Sequence, residues 1–218
     1  MKKEIIVLSG NIGVGKTTLG PIISESINAL WISESQIYDS FKYLAAMSSK
    51  KEKFLTEIAF PISRLSIIMS NFYENNHNKR IITERFLWDD LIFYKVWNSI
   101  YNFNNNSFYE RLNKILCRLS GDFLIKTIYL KCDIKTILRR ILSRGKIDDY
   151  QFTKQIVSEV ENVYNAEIEK KPSHIWDILE VSNLDIYDEK SMIQIVNKFR
   201  EIADSKFPVI NWSKWVKK

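Results

Sequence analysis

The chain has 218 residues, enough for one domain with a full hydrophobic core and too few for two compact ones. Apolar residues make up 45% and charged residues 27%, a balance that excludes extended disorder. The formal charge of +6, from 32 Lys and Arg against 26 Asp and Glu, suits a polyphosphate ligand as well as nucleic acid. Two cysteines, Cys117 and Cys132, without a CxxC pattern, indicate neither a disulfide scaffold nor a zinc site.

In chain order, the apolar run Ile5–Leu8 reads as a strand buried on both faces, and it is too short for the apolar core of a signal peptide. No window approaches the ~20 apolar residues of a membrane span, so the expectation is a cytoplasmic protein. A glycine loop follows, then a helix over 17–28 and a short strand over 29–33 that ends at Glu34. Residues 36–71 carry a helical pattern with a break expected at Pro61. Residues 80–83 form a third strand ending at Glu84-Arg85, and helices are expected over 88–100 and 108–119, separated by an Asn-rich loop. A fourth strand covers 123–130, a basic helix 134–144, a helix 152–168, a fifth strand 175–181 and a last helix 191–202.

Strands alternating with helices imply a three-layer α/β domain over 1–218, a five-stranded parallel sheet flanked by helices, with a helical lid near 139–150. In such sheets ligands bind at the carboxyl ends of the strands, where Glu34, Glu84 and Arg85 all fall.

Gly10-Asn11-Ile12-Gly13-Val14-Gly15-Lys16-Thr17, followed by Thr18, satisfies G-x-x-x-x-G-K-[ST] between a strand and a helix, the pattern of a P-loop nucleoside triphosphate site. Backbone amides and the helix N-terminus would cradle phosphates, Lys16 would bridge the β- and γ-phosphates, and the Thr17 hydroxyl would ligate Mg2+. Glu34 can take a proton from an acceptor hydroxyl, although Ser33-Glu34-Ser35 also reads as a helix start. Glu84 can hold the metal, and Arg85 a phosphate or the attacking oxygen. The stretch from Lys135 to Lys146 holds five basic residues and no acid. Within it Arg140 and Arg144 share a helical face, and Gly145 breaks the helix before Lys146, as in a lid that closes over the γ-phosphate.

Together these residues resemble the deoxynucleoside kinase family. GNIGVGKTT looks like the family's GNIGxGK[ST]T, Glu84-Arg85 its E-R-S signature, and RILSRGK over 140–146 its R-I-x-x-R-x-R lid. The likeness makes Glu34 the general base toward a 5′-hydroxyl, places Arg85 at that end of the acceptor, and sets Arg140 and Arg144 on the transferring phosphoryl. It puts Asp149 at the 3′-hydroxyl, Tyr94 at a base-stacking position and Asp90 near the base. Phe60-Pro61-Ile62-Ser63 is aligned with the family's F-x-x-Q segment, which leaves Ser63, with Arg64 beside it, where the family's base-pairing Gln stands. Phe86 replaces the signature Ser and Lys146 the last lid Arg. The resemblance implies ATP or another triphosphate as donor, Mg2+, a nucleoside acceptor and a homodimer. Nucleic acid is not expected as a partner. A monophosphate kinase of the thymidylate type, with Arg64 as its extra cation, is the alternative; a nucleotide-binding regulator with little kinase activity is a third reading.

Overall fold

In the computed structural model, residues 3–41, 49–74, 80–145, 150–170, 176–182 and 188–207 are described, apart from the side chains at 150, 152 and 170. Five strands, β1 (Lys3–Gly10), β2 (Leu30–Ile32), β3 (Arg80–Glu84), β4 (Phe123–Lys131) and β5 (Trp176–Glu180), form one sheet. Its order is β2-β3-β1-β4-β5, and every neighbouring pair is parallel. The central strand β1 is apolar on both faces because both are covered. Ile5 and Val7 enter one core while Ile6 and Leu8 enter the other, as the two-residue period of a strand requires.

Among the described residues, eight helices flank the sheet: α1 (Lys16–Ser26), α2 (Glu34–Asp39), α3 (Lys50–Glu74), α4 (Leu87–Tyr101), α5 (Asn106–Leu119), α6 (Ile134–Ser143), α7 (Tyr150–Lys170) and α8 (Glu189–Asp204). The Ile5 side is closed by α3, α4, α5 and α7 through Leu65, Ile68, Phe72, Ile92, Leu116 and Tyr164. The Ile6 side is closed by α1, α6 and α8 through Leu19, Ile23, Ile137, Ile195 and Phe199. The three layers follow from this division. At Gly20 of α1 the bare α-carbon lets the helix lie on the Trp31 indole; a Cβ there would stand 2.2 Å from the ring. Among the described residues, no helix is long and apolar enough to cross a membrane.

The structure corrects two boundaries. Pro61 does not break the helix: α3 runs unbroken for 25 residues through it. Proline in a helix interior costs ~3 kcal/mol, but Pro61 is itself buried, and α3 also buries Leu65, Ile68 and Phe72 at roughly 1.5–3 kcal/mol each. Tertiary burial therefore outweighs the local penalty. The second strand stops at Ile32, because Ser33 caps α2. Its hydroxyl accepts from the Gln36 amide (3.2 Å), and the Gln36 side-chain oxygen accepts from the Ser33 amide (2.8 Å), a reciprocal capping box that makes Glu34 the first helical residue. The expected lid begins as α6, which ends at Ser143, and Gly145 follows with φ +63°. Lys146 and Asp149 lie outside the described residues.

Candidate active site

The glycine loop leaves β1 and turns into α1, aiming that helix's N-terminus at the carboxyl edge of the sheet. Gly13 has φ +75°, and a Cβ on it would come within 2.7 Å of Ile141, so its bareness lets the loop rest on α6. Asn11 is buried inside the loop. Its Oδ1 accepts from the Ile12 amide (2.8 Å), and its Nδ2 donates to the Val157 carbonyl (2.9 Å) and Glu161 (3.0 Å), which ties the loop to α7. The Lys16 Nζ donates to the carbonyls of Gly10 (3.0 Å) and Asn11 (2.8 Å). Burial, helped by the positive charge of Arg85, lowers its pKa from 10.5 to about 8.

The pairing of β1 with β3 sets Leu8 beside Glu84, which brings the loop and the third strand's end together. Thr17 donates its hydroxyl to both carboxylate oxygens of the buried Glu84 (3.1 Å each), and one of those oxygens also accepts from the Glu34 amide (3.3 Å). A hydroxyl and a buried carboxylate are hard oxygen donors of the kind magnesium takes, so these residues fit that ion. Among the described residues, no group of three or more His, Cys, Asp or Glu could hold a metal unaided. The remaining positions of such an ion would fall to water and phosphate oxygens.

Arg85 follows at once, with φ +66°, a conformation that costs a non-glycine residue roughly 1–3 kcal/mol. Its amide is held by the Leu8 carbonyl (2.9 Å). Its Nη1 donates to Glu34 (2.6 Å), and the guanidinium lies 3.7 Å over the Phe93 ring. Its Nε is buried without a partner among the described residues. Burial opposes the charge, but Glu34, Tyr164, Glu84 and Asp89 outweigh it and raise the guanidinium's pKa.

Beside this pair lies a cavity of about 350 Å3, within the usual range for a small-molecule site. Ile12 of the loop, Glu34 and Arg85 form its end nearest the glycine loop, and α3 supplies Lys53, Thr56, Glu57 and Phe60. Asp90, Phe93 and Trp97 of α4 complete the wall. Of the expected acceptor residues, Glu34, Phe60, Arg85 and Asp90 are therefore in the wall.

Ser63, Arg64 and Tyr94 are not. Ser63 comes six residues after Glu57, a rotation of about 240° around α3. Arg64 has no exposed surface: its Nε and Nη2 grip Asp90 at 3.0 and 2.9 Å, and its Nη1 donates to the Glu84 carbonyl. That bidentate bond outweighs burial and holds the guanidinium above its usual range. Tyr94 stacks on Tyr109, with centroids 3.8 Å apart and planes at 7°, inside a separate aromatic cluster. Of the lid residues, Arg140 donates to the carbonyls of Val14 (3.0 Å) and Val181 (3.2 Å) rather than into the cavity. Arg144 is exposed at the end of α6.

Reasoning from the sequence missed Lys53, Thr56, Glu57, Phe93, Trp97 and the buried Asp89. Asp89 accepts from Ser9, from the Tyr164 hydroxyl (2.6 Å) and from the Phe86 amide (2.8 Å), joining β1, α4 and α7 behind Arg85. A signal for Glu57 was present. Phe54-Leu55-Thr56-Glu57 fits F-x-x-Q with an acid in the last place, and the last residue of this register, Glu57, lines the cavity, whereas Ser63 does not.

The parallel sheet, the glycine loop and the carboxylates at the strand ends define an α/β protein of the P-loop kind. The sequence pattern of the deoxynucleoside kinase family matches residues 6–204, and the chain belongs to that family. It is 26% identical over 151 residues to the deoxyguanosine kinase of Lactobacillus johnsonii and 25% identical to that of Lactobacillus acidophilus. These matches cover 65% of this chain and 64% and 63% of the respective relatives. Among solved structures, the deoxyadenosine kinase of M. mycoides with bound dATP superposes with a TM-score of 0.60 at 21% identity, covering 90% of this chain and 99% of that one. The same enzyme with bound dCTP gives 0.60 at 22%, covering 91% and 100%. These structural likenesses concern the fold.

Proposed function

We propose that the chain transfers the terminal phosphoryl group of ATP, or of another nucleoside triphosphate, to the 5′-hydroxyl of a deoxynucleoside. The observation that carries this reading is the Glu34–Arg85 pair, in the wall of a cavity that shares Ile12 with the phosphate loop. Glu34 accepts the hydroxyl proton as the acceptor oxygen attacks the γ-phosphorus, and the bond to the β,γ-bridging oxygen breaks with its electrons leaving on the diphosphate. Arg85 holds the acceptor oxygen in line, Lys16 bears the charge on the β- and γ-phosphates, and the loop amides orient them. Magnesium held by Thr17 and Glu84 would supply further neutralisation of that charge. Arg144, exposed at the end of α6, supports a lid that completes the charge balance on closing. Arg140 supports the loop from the same helix.

The burial of Arg64 against Asp90 favours a hydroxyl acceptor over a monophosphate, because that guanidinium does not reach the cavity. The exposed Phe108, Ile115 and Leu119 on one face of α5 support a homodimer. The relatives differ in the base that their names specify, so the base is not carried over. Purified protein with ATP, magnesium and a panel of deoxynucleosides should yield a 5′-monophosphate from at least one. Triphosphate binding with no transfer to any acceptor would overturn the reading.

A further inference from the structure

Asp89 is a fully buried acid that stands outside the cavity wall. Its carboxylate takes hydrogen bonds from three places in the chain. One oxygen accepts from the Ser9 hydroxyl of β1 and from the Tyr164 hydroxyl of α7 (2.6 Å), and the other accepts from the Phe86 amide (2.8 Å). Ser9 and Tyr164 are buried as completely as Asp89 itself. Burial pushes the carboxyl's pKa up, and the three donors and the positive charge of Arg85 act against it. Capping accounts for only one of these bonds. As the third residue of α4, Asp89 meets the positive end of the helix and can take the amide of the N-cap residue, Phe86. An exposed acid would do the same. The other oxygen holds residues 80 and 75 positions away in the chain, which a cap does not require.

Arg85 lies between these ties. Its own amide donates to the Leu8 carbonyl (2.9 Å), and the next amide, that of Phe86, donates to Asp89. Leu8 and Ser9 are neighbours on β1, so one strand fixes both ends of the turn, the first directly and the second through Asp89. The left-handed backbone of Arg85 persists only where its surroundings over-determine it. Its side chain adds little to that. The Nε has no partner among the described residues, while Glu34 and Phe93, which the guanidinium touches, both line the cavity. Tyr164 brings in α7, whose Val157 carbonyl and Glu161 hold Asn11 of the glycine loop. Residues 157, 161 and 164 share one face of α7, so a single helix face holds the loop and Asp89 together.

We infer that Asp89 is a positioning residue for phosphoryl transfer: by tying the turn at Arg85 to Ser9 and Tyr164, it sets where the acceptor-holding guanidinium stands relative to the glycine loop. What Arg85 does for the acceptor rests on the nucleoside kinase reading; how Arg85 is held does not. In-line attack depends on that placement, and a shift of about 1 Å in a positioning group can cost roughly 100-fold in rate. Asp89 itself touches neither substrate. It acts through the backbone on both sides of Arg85.

The test sets Asp89→Ala against Asp89→Asn. Asparagine keeps an oxygen for the Phe86 amide, and its N–H groups can donate to Ser9 and Tyr164, whose hydroxyls turn to accept. Alanine leaves all three donors unpaired. Asp89→Ala should lower kcat/KM for the deoxynucleoside roughly 10- to 100-fold, with equilibrium binding of ATP unchanged to within about twofold. Asp89→Asn should restore kcat/KM to within about threefold of the unmodified protein. In an Arg85→Lys background, Asp89→Ala should cost less than about threefold, because the group it positions is gone. ATP binding that weakens as much as kcat/KM, no rescue by asparagine, or full additivity with Arg85→Lys would each overturn the inference.

The buried Nε–H of Arg85 supplies a readout free of turnover. By NMR it should exchange slowly with solvent in the unmodified protein and in Asp89→Asn, and at least about tenfold faster in Asp89→Ala. Equal exchange in all three overturns the inference. If no deoxynucleoside is phosphorylated, the kinase reading falls, and this exchange alone decides whether Asp89 holds Arg85. If Asp89→Ala does not fold, Tyr164→Phe, which removes one donor and keeps the ring, takes its place. A change of roughly 3- to 10-fold is then expected in both kcat/KM and exchange, and no change in either overturns the inference.

Discussion

The Arg85 guanidinium donates to the Glu34 carboxylate at 2.6 Å, across the gap between the ends of β3 and β2. Arg85 reaches it from a left-handed backbone, and Glu34 from the first position of α2. The bond holds the carboxylate at the end of the cavity nearest the glycine loop. An acceptor hydroxyl that displaces Arg85 from one carboxylate oxygen would meet a base already oriented.

Replacing Glu34 with Gln keeps the size and a hydrogen-bonding partner for Arg85 but removes the proton acceptor. Turnover should fall by roughly 10²–10⁴. The KM for ATP should change little, as steady-state kinetics will show. A monophosphate kinase, whose acceptor is already anionic, would barely respond.

The Arg64–Asp90 pair is structural support for the cavity wall, with side chains 0% and 5% exposed. Arg64→Met leaves Asp90 buried without its cation and should destabilise the fold by about 3–5 kcal/mol in denaturant titrations. Adding Asp90→Asn should recover part of that loss, because the uncompensated charge is gone.

Lys16 titrates near 8 because its ammonium is buried beside Arg85. A triphosphate at the loop favours the protonated form and raises that value. Between the free and bound pKa values the free protein has lost the proton and the complex retains it, so binding at pH 8–9 should take up a proton. Calorimetry in buffers of different ionisation enthalpy should detect the uptake there and find little at pH 6.5. Lys16→Met should abolish it and weaken ATP binding.

Glu57 also links folding to pH. Its folded pKa of about 8 lies above the unfolded value of 4.5, so between them the native chain keeps a proton that the unfolded chain releases. Stability is therefore greatest below that window, falls as pH rises through it by at most ~1.4 kcal/mol per pH unit, and levels off above about 8. Denaturant midpoints at pH 5, 6.5 and 8 should show the decline, and Glu57→Gln should flatten it.

The phosphate half of the site could be read along the chain because each part of it is local. Glycines at 10, 13 and 15, Lys16 and Thr17 form one continuous turn between β1 and α1, and the acids at 34 and 84 follow short apolar runs. Strand and helix order was equally legible, since a parallel sheet covered on both sides requires continuous apolar strands and amphipathic helices. One local signal misled: a proline suggested a break that the burial of α3 overrides. Of the F-x-x-S register aligned with the family's segment, Phe60 lines the cavity and Ser63 does not, while Glu57 of the overlapping F-x-x-E does.

The cavity that would take a base has no local signature, because α3 and α4 build it from opposite sides. One residue along a helix turns a side chain by about 100°, so Phe93 faces the cavity while Tyr94 stacks on Tyr109 behind it. The sequence alone determined a parallel α/β sheet, a phosphate loop and acids at its edge, because these depend on residue type and short-range order. Only the tertiary structure decided that Glu57 and not Ser63 lines the cavity, and that Arg64 is buried in a bidentate bond to Asp90. Helix phase and burial are set by packing between segments far apart in the chain.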